Sequence, residues 1–130
     1  THDRGVQRRI AGLMAIEAAT LAVMSALHLT GALGGGSKPY DPDQAGIAEA
    51  IICVAVAYGA STLMREPPHQ RTALGTVGFA VLGFIVGLVF TVQGGEAIDL
   101  AYHAAMLPLL ILTLLALARL RNPIPPRHAA

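Results

Sequence analysis

Charged residues are scarce in this sequence. They make up 13% of the 130 residues, whereas 54% are hydrophobic and the mean hydropathy is +0.58. Soluble domains carry about 25% charged residues, because a small globule needs polar surface to remain solvated. The shortage excludes a small soluble domain and predicts an integral membrane protein.

Cysteine and net charge are also in short supply. Cys53 is the single cysteine, so no intrachain disulfide can form and cysteine usage does not indicate a redox compartment. The formal net charge is only +1, which argues against a nucleic-acid partner.

Motifs of enzyme chemistry are missing as well. The sequence has no CxxC, HxxxH or HExxH spacing, no phosphate loop, and no Ser/His/Asp arrangement or pair of catalytic acids that we recognise. A membrane enzyme is therefore the least supported class.

The sequence does contain four long apolar windows. A hydrocarbon core of roughly 30 Å needs about 20 helical residues, at about 1.5 Å of rise for each. The windows that meet this length are 10–30, 45–64, 73–92 and 98–120. We predict an all-α integral membrane protein, a four-transmembrane-helix bundle in which residues 1–130 form a single membrane domain.

The first window follows a basic start, as a cleaved signal peptide would. Its apolar stretch is longer than the usual range of about 7 to 15 residues, and it contains Glu17. We therefore expect it to be retained as a span.

The basic residues predict the orientation of the bundle. All the arginines fall on one side of the four-span zigzag, and Lys38 alone falls on the other. These arginines are Arg4, Arg8, Arg9, Arg65, Arg71, Arg119, Arg121 and Arg127. The positive-inside rule then predicts that the N-terminus, the C-terminus and the 65–71 loop are cytoplasmic.

Residue usage and layout give two further indications. The abundance of Ala, Leu, Gly and Arg is typical of a high-GC bacterium, so we expect a multi-pass protein of the cell inner (plasma) membrane. The four-span layout resembles that of four-helix families such as the DoxX-like proteins. No family motif matches residue by residue, so the resemblance assigns no functional residue.

The third window carries Gly83 and Gly87 in GxxxG spacing. Small residues at this spacing let membrane helices approach closely. The pattern predicts a packing face, either within the bundle or toward a second copy or a larger membrane complex, with the lipid bilayer as the remaining partner.

Titratable side chains recur at one depth, near the predicted outer surface. His28 lies close to the end of the first span, Glu49 about one turn into the second, and Asp99 and His103 at the start of the fourth. Because Asp99 and His103 are four residues apart, they share a helix face. We predict a ligand-binding pocket formed by His28, Glu49, Asp99, Tyr102 and His103. In the simpler alternative, both histidines are ordinary interfacial residues at helix ends, and Asp99 only stabilises its helix through the helix dipole.

Glu17 lies two turns inside the first span, where no helix-end effect accounts for an acid. Glu17, Leu21, Met24 and His28 follow one another at steps of four, three and four residues, so they share a helix face. A carboxyl group buried without a cation is neutral and can accept and donate a proton, so we expect Glu17 to be a proton relay. Such a stripe should face the bundle interior.

Three functions are compatible with this pattern. The first is a small transporter or ion-permeable bundle whose pocket binds a divalent or copper ion through His28, His103, Glu49 and Asp99, with Met24, Cys53 and Met106 nearby favouring copper. The second is a redox protein that holds haem b between His28 and His103, or a quinone in the pocket. The third is an accessory subunit that docks on a larger membrane complex.

Overall fold

Four long helices account for nearly all of the structure, a computed structural model that describes residues 2–35 and 38–120, apart from the side chain of His2. They are α1 (His2–Leu29), α2 (Pro42–Leu63), α3 (Gln70–Gly94) and α4 (Ala97–Arg119). All four are long and apolar enough to cross a membrane. The prediction of an all-helical, four-helix bundle is confirmed.

The helices begin earlier than the predicted windows, because polar residues also join their first turns. α1 starts at His2 and includes Arg4, Arg8 and Arg9, which the hydropathy pattern left outside the span. α2 starts at Pro42, where the side chain of Asp41 caps the helix by accepting a hydrogen bond from the backbone N–H of Asp43 at 3.0 Å.

The helices pack in chain order, and α4 closes the ring against α1. The α1–α2 and α3–α4 connections meet through an antiparallel bridge between Gly35 and Gly95, which defines the bridged end of the bundle. At the opposite end, Arg4 forms an ion pair of 2.6 Å with Glu66, and Gln70 donates to the backbone oxygen of Leu117. The helices therefore alternate in direction.

All arginines of the described chain lie at the end opposite the bridge, which we call the arginine end. They are Arg4, Arg8, Arg9, Arg65, Arg71 and Arg119. Arg121 and Arg127, which also entered the orientation argument, lie outside the described residues. Lys38 is in the connection at the bridged end.

One face of each helix is buried and another is exposed and apolar. The core includes Met14 and Leu21 of α1, Val56 of α2, Phe84 of α3 and Leu110 of α4. Exposed large apolar residues occur along all four helices. This surface is consistent with contact with lipid.

Glycines allow close helix contacts within the chain. A Cβ at Gly83 would lie 2.6 Å from Ile52 Cδ1 of α2, and a Cβ at Gly87 would lie 2.9 Å from His103 Nε2 of α4. Gly59 of α2 leaves similar room for Thr76 of α3. The two glycines of the GxxxG pattern therefore face two different neighbours inside the bundle.

Candidate functional site

His28 is the centre of a buried polar cluster near the bridged end. It lies in the last turn of α1, where its Nδ1 is 2.7 Å from Glu49 Oε2 of α2 and its Nε2 is 3.2 Å from Asp99 Oδ2 of α4. The exposed fractions of His28, Glu49 and Asp99 are 1%, 4% and 0%. One imidazole ring thus joins carboxylates from two other helices.

Asp99 connects His28 with two further residues, Tyr40 and His103. Tyr40 Oη donates to Asp99 Oδ2 at 2.7 Å and lies 2.9 Å from His28 Nε2. His103 Nδ1 is 3.0 Å from the backbone oxygen of Asp99 and 3.0 Å from its Oδ1, the latter as an ion contact. We call His28, Tyr40, Glu49, Asp99 and His103 the polar cluster.

The contacts of His103 indicate the tautomer of its neutral ring. Both oxygens beside Nδ1 belong to Asp99 and can only accept, so Nδ1 carries the hydrogen. Nε2, on the far edge of the ring beside Gly87, is then a hydrogen-bond acceptor.

Tyr40 reaches the cluster from the connection between α1 and α2. It is buried, and a side chain at Gly35 would collide with its ring, so the turn of the connection depends on a glycine there. Burial raises the pKa of Tyr40 well above its ordinary value, and the hydrogen bond to Asp99 and the carboxylate charge of Asp99 act in the same direction. The hydroxyl therefore stays protonated and donates.

Gly46 brings α1 and α2 together beside the cluster. Ser25 Oγ of α1 donates to the backbone oxygen of Gly46 at 2.7 Å. A Cβ at Gly46 would lie 2.8 Å from Leu29 Cγ and 3.1 Å from His28 Cβ. The absence of a side chain at this position lets Glu49, one turn further along α2, reach His28.

A groove of about 560 Å³ lies between α2 and α3 and ends at the cluster. Its floor includes Glu49 and His103, and its walls are mostly apolar. All three phenylalanines of the chain line it, namely Phe79, Phe84 and Phe90. Phe79 and Phe90 are exposed, so the groove opens on the side of the bundle, toward the surface where lipid would lie.

Glu49 has one oxygen without a protein partner. Glu49 Oε2 contacts His28, whereas the buried Oε1 has no hydrogen-bond partner among the described residues. A buried carboxylate oxygen left unsatisfied costs about 1 to 3 kcal/mol or more. Glu49, which lines the groove, therefore keeps a buried acceptor that a donor or a cation would satisfy.

Glu17 occupies a separate polar site deeper in the bundle. Its side chain is fully buried, and Thr113 Oγ1 of α4 donates to Glu17 Oε1 at 2.5 Å. Its other oxygen, Oε2, has no hydrogen-bond partner in the described chain. The expectation that Glu17 faces inward is met, and its position apart from the polar cluster is compatible with the relay that we predict.

The hydroxyl of Tyr102 makes its hydrogen bond outside the polar cluster, although the sequence placed this residue in the pocket. Its hydroxyl lies 3.0 Å from Thr20 Oγ1 of α1. Its ring packs edge-on against the ring of His103, and the two ring centroids are 6.0 Å apart. Thr20 in turn donates to the backbone oxygen of Glu17, so Tyr102 and Thr20 lie between the two polar sites.

The sulfur-containing residues predicted near the pocket make packing contacts or a backbone hydrogen bond. Met24 and Met106 are buried hydrophobic residues, and Met106 belongs to the apolar core. Cys53 Sγ donates to the backbone oxygen of Ala18 at 3.1 Å. Within residues 2–35 and 38–120, His28, Glu49 and Asp99 each offer a ligand atom that lies within 4.8 Å of the other two. His103 does not belong to this group.

The geometry does not favour haem b between His28 and His103. Axial ligation requires an available nitrogen on each ring, facing the other across the macrocycle. Here Asp99 contacts Nε2 of His28 through Oδ2 and Nδ1 of His103 through Oδ1, so a carboxylate lies between the two rings, where the macrocycle would be.

Sequence reasoning missed Tyr40, Gly46 and the groove. The aromatic residue in the "KPYDPD" segment is a signal that could have identified Tyr40, because a tyrosine before a capped helix can fold back onto the bundle. The groove depends on the relative tilt and spacing of α2 and α3, which periodicity does not give. Comparisons with protein families, with curated proteins and with solved structures find no match to this chain.

Proposed function

We propose that this protein binds a flat, lipid-soluble molecule of the quinone and quinol class, which enters sideways from the bilayer. The observation that carries the proposal is the groove between α2 and α3, which is lined by all three phenylalanines and ends at Glu49 and His103. Its volume of about 560 Å³ lies within the range of about 300 to 1,000 Å³ that small-molecule sites occupy.

The chemistry of the groove matches both the planar ring and the oxygen substituents of such a molecule. Aromatic walls favour a planar ring, because aromatic pairs gain roughly 0.5 to 1.5 kcal/mol beyond their buried area. At the floor, Glu49 Oε1 and the Nε2 atom of a neutral His103 are both acceptors. The reduced form, which has two hydroxyl donors, therefore fits the floor better than the oxidised form, which offers only carbonyl acceptors.

A groove-filling substitution tests this proposal. Ala48 is exposed and lines the groove, so Ala48→Trp should fill it without disturbing the core. Ala57 is exposed on the same helix and lies outside the groove, so Ala57→Trp is the matched control. The probe is a short-chain ubiquinol, and its oxidised form, titrated against the protein in lipid nanodiscs.

We expect saturable binding to the natural protein, with the reduced form bound more tightly. Ala48→Trp should weaken it about tenfold or more, which corresponds to about 1.4 kcal/mol, and Ala57→Trp should leave it unchanged. Equal affinities for Ala48→Trp and the natural protein, or no saturable binding, would contradict the proposal.

A second candidate is proton-coupled transport in which Glu17 is the relay. The observation that favours it is a fully buried carboxyl group with one unpartnered oxygen inside a bundle of membrane-length helices. Ionisable residues inside membrane spans are costly, and they commonly line pathways for ions or protons. In this proposal Thr20 and Tyr102 lie between Glu17 and the polar cluster.

The location proposed for both functions is the bacterial inner membrane, with the N-terminus and the C-terminus in the cytoplasm. The support is the grouping of all described arginines at one end of the bundle, which the positive-inside rule assigns to the cytoplasm. The groove and the polar cluster are then near the outer leaflet. A second copy or a larger complex as partner remains a prediction.

A further inference from the structure

The polar cluster has the composition of a divalent cation site. One ligand atom from each of His28, Glu49 and Asp99 lies within 4.8 Å of the other two. In a metal shell with bonds of about 2.0 to 2.2 Å, neighbouring ligand atoms are roughly 3 to 3.5 Å apart, so small side-chain rotations would complete it. The three residues come from α1, α2 and α4, which are held by the bundle itself.

The charges in the cluster also indicate a site for a divalent cation. Glu49 and Asp99 are two buried carboxylates whose ion-pair partners among the described residues are His28 and His103, which carry a charge only when protonated, and no Lys or Arg of these residues pairs with either. Buried charges are costly unless they are paired. A divalent cation would neutralise both carboxylates at once while both imidazole rings remain neutral, as metal ligation by histidine requires.

An independent observation also calls for a cation. Glu49 Oε1 is buried and has no hydrogen-bond partner among the described residues, and Asp99 Oδ1 has only its ion contact with His103. Both side chains are more than nine-tenths buried. Carboxylate oxygens can only accept, so unsatisfied ones are met by a donor or by a metal ion.

The ligand atoms identify the class of ion. One imidazole nitrogen and two carboxylate oxygens suit borderline ions such as Zn²⁺, whereas Mg²⁺ and Ca²⁺ prefer shells made entirely of oxygen. Copper was favoured by the sequence because of nearby sulfur, but the three-residue set contains none, and Cys53 instead donates to Ala18.

We propose that His28, Glu49 and Asp99 bind one divalent transition-metal ion of the Zn²⁺ type. Three protein ligands leave at least one coordination position, and one of the ligands, Glu49, also lines the groove. This inference goes beyond the proposed function and does not require a quinol to be present.

The test is Zn²⁺ binding to the full chain in detergent, measured by isothermal titration and by elemental analysis after desalting. Glu49→Gln and Asp99→Asn remove one charge each and keep the size of the side chain. The control is Glu96→Gln, which makes the same change at an exposed acid of the bridged end whose side chain accepts a hydrogen bond from the backbone N–H of Gly34. Size-exclusion chromatography and circular dichroism establish that each variant is folded.

We expect one Zn²⁺ per chain, weak or no binding of Mg²⁺, and a loss of Zn²⁺ affinity of about tenfold or more in both cluster variants. Glu96→Gln should bind as the natural protein does. If a cluster variant fails to fold, EDTA treatment of the natural protein should lower its thermal midpoint, and Zn²⁺ should restore it. No saturable Zn²⁺ binding, or undiminished binding by folded Glu49→Gln and Asp99→Asn, overturns the inference.

This result can be separated from the test of the groove. Ala48→Trp, which fills the groove, should retain Zn²⁺ because Ala48 is not among the ligands. Loss of quinol binding with retained Zn²⁺ supports both proposals. Quinol binding without any Zn²⁺ site in the natural protein overturns only the metal inference.

Discussion

At the scale of single residues, the buried ionisable groups decide what the interior can do. The three buried carboxyl groups each have a partner from another part of the chain: Thr113 for Glu17, His28 for Glu49, and both His28 of α1 and Tyr40 of the connection for Asp99. A charge or a polar group without such a partner would destabilise a bundle whose core is otherwise apolar. The few that remain unsatisfied mark the places where a ligand, an ion or a proton can act.

Replacement of Glu17 tests the proton relay. Glu17→Gln keeps the size of the side chain and can still accept from Thr113, but it removes the titratable proton of the carboxyl group. In liposomes with a potassium diffusion potential and an internal pH-sensitive dye, the natural protein should carry protons faster than empty liposomes do. The variant should fall to about the rate of empty liposomes.

The control for this experiment is Thr62→Val. Thr62 is fully buried, but its hydroxyl donates to the backbone oxygen of Gly59 in its own helix, so its loss should not affect proton flux. Equal flux in Glu17→Gln and the natural protein would remove the relay.

At the scale of the helices, the approach of α1 to α2 determines whether the cluster exists. Ser25 and Gly46 bring the two backbones together, and Cys53 Sγ contacts the backbone of Ala18 further along the same pair of helices. His28 reaches Glu49 only because both helices are held at this distance. A bulkier residue at the contact should therefore act on the whole pair.

Gly46→Val should push α1 away from α2. Its side chain would meet Leu29 and His28, so we expect the hydrogen bond from Cys53 to Ala18 to open and the thiol to become more accessible. Cys53 is the single cysteine of the chain, so the rate of its reaction with N-ethylmaleimide in detergent reports the change directly. We expect this rate to rise about tenfold.

Gly78→Val serves as the control for that measurement. Nothing lies within 4 Å of a Cβ at Gly78, so the substitution should leave the labelling rate of Cys53 unchanged. A rate that is the same in Gly46→Val and in the natural protein would show that the glycine does not set the spacing of α1 and α2.

At the scale of the whole molecule, the two ends of the bundle differ in charge and chemistry. The arginine end carries all described arginines, and the bridged end carries the polar cluster and the floor of the groove. Orientation in the membrane therefore decides which leaflet and which compartment can supply a ligand or an ion.

Site-directed labelling tests the orientation. In a Cys53→Ala background, Lys38→Cys places a thiol at the bridged end, and His69→Cys places one at the arginine end, both at exposed positions. If the termini are cytoplasmic, a membrane-impermeant maleimide should label Lys38→Cys in intact spheroplasts and His69→Cys only after lysis. The reverse pattern would invert the topology.

Much of the fold and part of the cluster could be predicted from sequence. Hydropathy gave four helices, although α1 extends to His2 because a helix continues through polar residues that a hydropathy window leaves out. Depth along each span correctly grouped His28, Glu49, Asp99 and His103 near one end. Depth does not give the direction of a side chain, so Tyr102 was grouped with them although it contacts Thr20.

The residues that sequence reasoning missed depend on contacts that are distant along the chain. Tyr40 joins the cluster because its connection folds back over the bundle and Gly35 leaves room for its ring. Gly46 matters because His28 and Leu29 of another helix pack against it. Neither contact has a periodic signature.

The amino-acid sequence by itself determined that the chain forms four membrane-length helices with ionisable residues at two depths, because hydrophobicity and helical spacing are local properties. Only the tertiary structure decided that His28 bridges Glu49 and Asp99, that Tyr40 closes the cluster, and that an aromatic groove leads to it. Those features depend on how the helices are spaced and rotated against one another, which is decided by packing between residues far apart in the chain.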